Sequence, residues 1–155
     1  MGLAQRNANW MQDKQGHDYG VDGGDFTLGD LYISILPWRE SPEQRDAIEA
    51  QLIAQQAEAT GKRWIWAYHP PPKGSPVAWN GRRDFGYDAS PAWIEHFGPY
   101  MVLGGHIHNA PFYANGSWID QVQGTWVFNS GMQINHKRNQ TDPPKECTLQ
   151  MSALD

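Results

Sequence analysis

Arg63-Trp-Ile-Trp-Ala-Tyr68, running into His69-Pro70-Pro71-Pro72, and Tyr100-Met-Val-Leu-Gly104, running into Gly105-His106-Ile107-His108, decide how this chain is read. Each is a short apolar run bounded by turn-forming residues. Such a run is too brief for a helix and suits a strand buried in a sheet. Each also ends by presenting histidine. Outward from this pair, Leu31-Tyr-Ile-Ser-Ile-Leu36 is another apolar, β-branched run, closed by Pro37. Between it and the first strand lies Ser41-Pro42-Glu43-Gln44, with an N-cap serine, proline at the first helical position and a glutamine able to complete a capping box. Ala47, Ile48, Leu52 and Ile53 supply an apolar stripe and Gly61 a stop, so residues 42–60 are expected to be helical.

The rest follows the same logic. Ser90-Pro91 opens a short helix that Gly98 closes, and Ser117–Asp120 with Thr125–Phe128 reads as a β-pair joined through 121–124. Cys147–Met151 reads as a last strand, and residues 1–30, polar and rich in Gly and Asp, as an N-terminal arm or loop preceding a domain over 31–155. The order β-α-β-loop-α-β, then further strands, gives an α/β (or α+β) layered sandwich. The loop at 70–89 holds four prolines and three glycines, and loops this long in compact domains are commonly functional.

Composition narrows the function. The 155 residues carry 12 Lys+Arg against 17 Asp+Glu, a net charge of −5, which argues against a general nucleic-acid binder. A single cysteine, Cys147, excludes an intrachain disulfide scaffold. No run approaches the roughly 20 apolar residues of a membrane-spanning helix, and the polar N-terminus lacks a signal peptide's apolar stretch. A cytoplasmic protein is therefore expected. Eight tryptophans provide much of the core bulk.

The histidines carry the chemistry. In α/β sheets, ligands bind beyond the carboxyl ends of the strands. A spacing of two sends His106 and His108 to the same side of an extended backbone. Gly104 and Gly105 remove bulk just before them, and neutral imidazole is a common ligand for Zn, Mn, Fe and Ni. His69, His106 and His108 are thus candidate metal ligands. In the long loop, Arg82 and Arg83, with Lys73, could hold phosphate oxygens, Arg in bidentate fashion. Trp79, Phe85 and Tyr87 pin that loop to the domain or stack on a ligand. Asn129 would satisfy backbone at a turn or support the histidines from behind. His96 reads as a surface residue, and the triple proline as a stiffener of the loop.

Tyr68-His69-Pro70-Pro71, then Gly105-His106-Ile107-His108, then Val127-Phe128-Asn129-Ser130-Gly131, in that order, resemble the C-terminal half of a calcineurin-like metallophosphoesterase over about residues 28–131. The resemblance implies a double-sheet sandwich with two divalent metal ions (Mn, Fe, Zn or Ni) at the strand ends, His69 and His106 on one and His108 on the other. It implies hydrolysis of a phosphate mono- or diester. The family's upstream signatures, Asp-x-His, Gly-Asp-x-x-Asp and Gly-Asn-His-Asp/Glu, are not complete here. Gly24-Asp25 and Gly29-Asp30 lack the second Asp, Gly16-His17-Asp18 lacks the Asn, and Asn135-His136 falls in the wrong order. The catalytic acid is therefore unassigned. Three neutral ligands between two dications leave the negative charge of carboxylates to be supplied by a second chain or a longer parent protein.

Two alternatives stand beside this. One is a non-catalytic module that keeps the fold and binds a partner; the other is a His₃ zinc site with one open position. A half-sandwich should also leave an apolar face uncovered, which favours a homo-oligomer or complex.

Overall fold

The computed structural model describes residues 22–38 and 41–131. In chain order these form β1 (Asp25–Leu28), β2 (Leu31–Leu36), α1 (Pro42–Ala59), β3 (Arg63–Tyr68), α2 (Ser90–Phe97), β4 (Met101–Gly104), β5 (Ile119–Val122) and β6 (Thr125–Asn129), with 3₁₀ turns at Pro76–Ala78 and Ala110–Phe112. The strands make one six-stranded sheet in the order β1-β2-β3-β4-β6-β5. β2, β3, β4 and β6 are mutually parallel, and β1 and β5 close the two edges antiparallel. The fold is α/β, as expected.

One strand lies where a loop was expected. Asp25-Phe-Thr-Leu28 alternates polar with apolar residues, and the two-residue turn Gly29-Asp30 folds it back on β2 with Gly29 at φ +60°. The polar arm read over residues 1–30 therefore gives way to sheet from residue 25. The readings of Gly16-His17-Asp18, Asn135-His136 and Cys147–Met151 lie outside the described residues.

α1 begins as its sequence dictates. The Ser41 backbone N–H donates to Gln44 Oε1 at 2.9 Å, and Pro42 occupies the first helical position. Its buried face is Ile48, Leu52, Gln55 and Ala59. Ile53, expected inside, is 59% exposed. Gln55 takes an inward place because its amide donates to Asp25 on β1 at 2.9 Å. Gly61 (φ +79°) and Gly98 (φ +58°) end the two helices in the left-handed conformation that glycine adopts without strain.

The core lies on one face of the sheet. Tyr32 and Leu36 of β2, Trp64, Trp66 and Tyr68 of β3, Val102 of β4 and Val127 of β6 meet Ile48 and Leu52 of α1 and Trp93, Ile94 and Phe97 of α2. Aromatic rings dominate the contact: Trp64 lies edge-on to Trp66 at 5.6 Å and to Phe97 at 6.0 Å. Trp64 Nε1 also donates to buried Ser34 at 2.7 Å, which satisfies both polar groups inside the core. Among the described residues, no helix is long and apolar enough to cross a membrane.

Candidate functional site

Three adjacent parallel strands, β2, β3 and β4, finish at the same edge of the sheet, so the residues following them gather there. Trp38 follows β2, His69 follows β3 and His106 follows β4. The His69 and His106 rings stand 5.2 Å apart, nearly edge to face. Trp38 lies against both, at 4.9 Å from His69 and 5.0 Å from His106. The backbone enforces this closeness, because the His69 carbonyl accepts from the N–H groups of both Gly105 and His106 at 3.1 Å. Gly104 makes it possible: a Cβ there would stand 3.1 Å from the Tyr68 and His69 carbonyl oxygens.

His106 and His108 line a cleft of about 240 Å³ together with Asn80, Phe85, Ile107 and Asn109. Asn129 stands behind it, fully buried. Its amide donates to the Ile107 carbonyl at 2.8 Å and the Val77 carbonyl at 3.0 Å, and its Oδ1 accepts from Gly131 N–H at 3.2 Å. Ile107 lies between the two histidines, so Asn129 fixes the loop that carries them through its backbone rather than through the imidazoles.

Partial burial holds the His69 pKa below the ordinary histidine value, and the nearby imidazoles of His106 and His108 push it in the same direction. At neutral pH His69 is therefore the neutral base that a metal ligand must be. Two imidazoles bound to one tetrahedral ion at 2.0–2.1 Å would place their ring centres about 5 Å apart. The 5.2 Å pair fits that requirement. A closed site is a different matter: among the described residues, no three His, Cys, Asp or Glu side chains are grouped to hold an ion.

The long loop is ordered by its own polar groups. The Asp84 carboxylate accepts from the N–H groups of Gly74 and Gly86, both at 2.6 Å. Tyr87 rests against Tyr68 at 6.0 Å and Trp93 at 5.6 Å, which anchors the loop to the core. Arg82 and Arg83 are exposed on this loop between Asn80 and Phe85 and do not line the cleft. The Arg83 guanidinium lies 4.1 Å from the centre of the Phe85 ring, and Lys73 pairs with Asp88. His96 is exposed on α2 against Phe97. Trp38, Asn80, Phe85 and Asn109 are the site residues that motif reading does not single out for the histidine cluster. Trp38 had no such signal in the sequence, because only the pairing of β2 with β3 brings its strand end beside that of His69.

Comparison with known proteins adds the fold and nothing about activity. No protein-family model matches the chain. No curated protein matches it. Among solved structures, one crystal structure is similar with a TM-score of 0.63 at 18% identity, over 83% of this chain and 51% of that one. The crystal structure of TT1561 of Thermus thermophilus is similar with a TM-score of 0.51 at 15% identity, over 72% of this chain and 48% of that one. The chain thus spans about half the length of the structures it matches.

Proposed function

We propose that this chain carries the histidine half of a dinuclear metal-dependent phosphoesterase. The observation that supports the reading best is the meeting of His69 and His106 at 5.2 Å, from the ends of adjacent parallel strands, with His108 in the neighbouring cleft. In this reading His69 and His106 hold one divalent ion (Mn, Fe, Zn or Ni) and His108 faces a second. When bound, such ions lower the pKa of water and offset charge on phosphate oxygens. The chain's own contribution is to keep His69 neutral, to fix the His106–His108 loop through Asn129, and to hold Arg83 over the Phe85 ring at the cleft, where it could donate to an approaching phosphate ester, with Arg82 beside it on the exposed loop. Carboxylates must complete the site, and among the described residues none is grouped with the histidines to hold an ion. The chain alone is then a weak metal binder with little turnover.

The test is calorimetric titration of the full chain with Zn²⁺ or Mn²⁺, beside His106→Ala/His108→Ala. Binding by the parent that falls at least about tenfold in the double variant is the expected result. Equal uptake by both proteins, or none by either, would overturn the metal reading. A phosphatase rate of the order of 1 s⁻¹ or more from the monomer would overturn the half-site reading. A second reading, a non-catalytic module that binds a partner, draws on a different feature, the apolar face of the sheet turned away from the helices.

A further inference from the structure

The register of the sheet assigns every strand residue to one of two faces. The helices take the face of Tyr32, Trp64, Trp66, Val102 and Val127. The other face is crossed by two unbroken rows. Phe26, Ile33, Ile65, Met101 and Trp126 make one, through the pairs of β1 to β4 and β6. Ile35, Ala67, Leu103, Phe128 and Ile119 make the other. Phe26 is 43% exposed, Leu28 63% and Leu103 44%, while Ile65 at the centre of the first row is buried at 8% and the other members of the two rows are half-buried. Neither α1 nor α2 covers this face, since both contribute to the core on the opposite side.

We infer that this face, which neither helix covers, is the contact surface for a second copy of the chain, packed sheet on sheet about a two-fold axis. Three observations select a copy of itself as the occupant. First, the surface is apolar and built on a sheet, and two such sheets pack face to face with their strands rotated by about 30°. Second, its charge is confined to the rim, where Asp30 and Arg63 neutralise each other in a two-point ion pair at 2.9 and 3.0 Å. Two copies therefore meet without like charges opposed, although each carries a net −5. Third, the size suffices. Six strands at about 4.8 Å spacing and about 17 Å length give roughly 500 Å² per copy, so a pair reaches the roughly 1,000 Å² that a specific interface needs. The inference does not depend on the metal reading.

Sedimentation velocity of the full 155-residue chain across a hundredfold concentration range tests it. The parent is expected to be a dimer that dissociates on dilution. Leu103→Glu, an exposed position on this face, should raise the dissociation constant by at least about tenfold. Leu28→Glu on the edge of the same face should act in the same direction and serves if the first variant does not fold by circular dichroism. Ile53→Glu, an equally exposed apolar position on α1, should leave the dimer intact. A monomer at every concentration would overturn the inference, because some other part of the chain would then cover the face. So would a polydisperse aggregate, or a dimer lost in Ile53→Glu and kept in the sheet variants.

Discussion

Asn129 is fully buried, and both of its amide hydrogens go to backbone carbonyls, those of Val77 after β3 and of Ile107 between the two histidines. Truncation would leave two buried carbonyls and the Gly131 N–H without a partner, which costs about 2–4 kcal/mol. Asn129→Ala is therefore expected to lower the urea midpoint without changing the slope of the unfolding curve. Asn129→Asp keeps the size and the acceptor but loses both donors, and it should be destabilised at least as much. A midpoint within error of the parent for both would show that the carbonyls find other donors. If the metal reading holds, the same variants should weaken metal uptake, because Asn129 holds the Ile107 carbonyl between the two histidines.

At the scale of elements, the segment from Pro70 to Ala89 owes its shape to a few local ties. Asp84 bonds backbone N–H groups on both sides of itself, and short backbone bridges join Pro72 to Tyr87 and Trp79 to Asp84. Asp84→Ala should cost about 1–3 kcal/mol through the loss of two charge-assisted hydrogen bonds and should open the loop first. Limited proteolysis should then cut between residues 73 and 86 well before the sheet unfolds. Cutting no faster than in the parent would mean that Tyr87 and the prolines hold the loop unaided. These ties explain what could be read from sequence and what could not. β2, β3, β4 and both helices were legible because proline, glycine and a serine cap punctuate them, and the histidines were legible because they follow those strands directly. β1 was hidden by its polar surroundings, although Gly29-Asp30 marked its turn. The exchange of Ile53 for Gln55 on the inner face of α1 depends on Asp25, thirty positions away, which periodicity cannot register. Trp38 joined the site only once strand order placed β2 next to β3.

At the scale of the whole molecule, the decisive asymmetry is that the buried aromatic bulk of the core lies on one side of the sheet, and two tyrosines lie within it. Burial, with Asp25 close by, pushes the Tyr32 phenol up to about 12. Burial raises Tyr68 as well, with Tyr87 adding to the effect, and among the described residues its hydroxyl has no hydrogen-bond partner. The sign of the consequence is fixed. The unfolded chain ionises tyrosine near pH 10 while the folded chain holds the proton, so the stabilisation is fully present below about pH 10. It is lost as pH rises from there through the folded values. Stability from urea unfolding should thus be flat with respect to these groups from about pH 8 to 10 and fall steeply above. Other basic groups titrate in the same range, so Tyr68→Phe isolates the contribution. Removing an orphaned buried hydroxyl should leave stability at pH 8 unchanged or raised by up to about 1 kcal/mol, and should make the decline above pH 10 shallower. A variant destabilised by more than about 2 kcal/mol at pH 8 would mean that the hydroxyl has a partner after all. An alkaline limb as steep as the parent's would mean that Tyr68 does not keep its proton, and the aromatic side of the sheet would then be open to water in a way its packing does not allow.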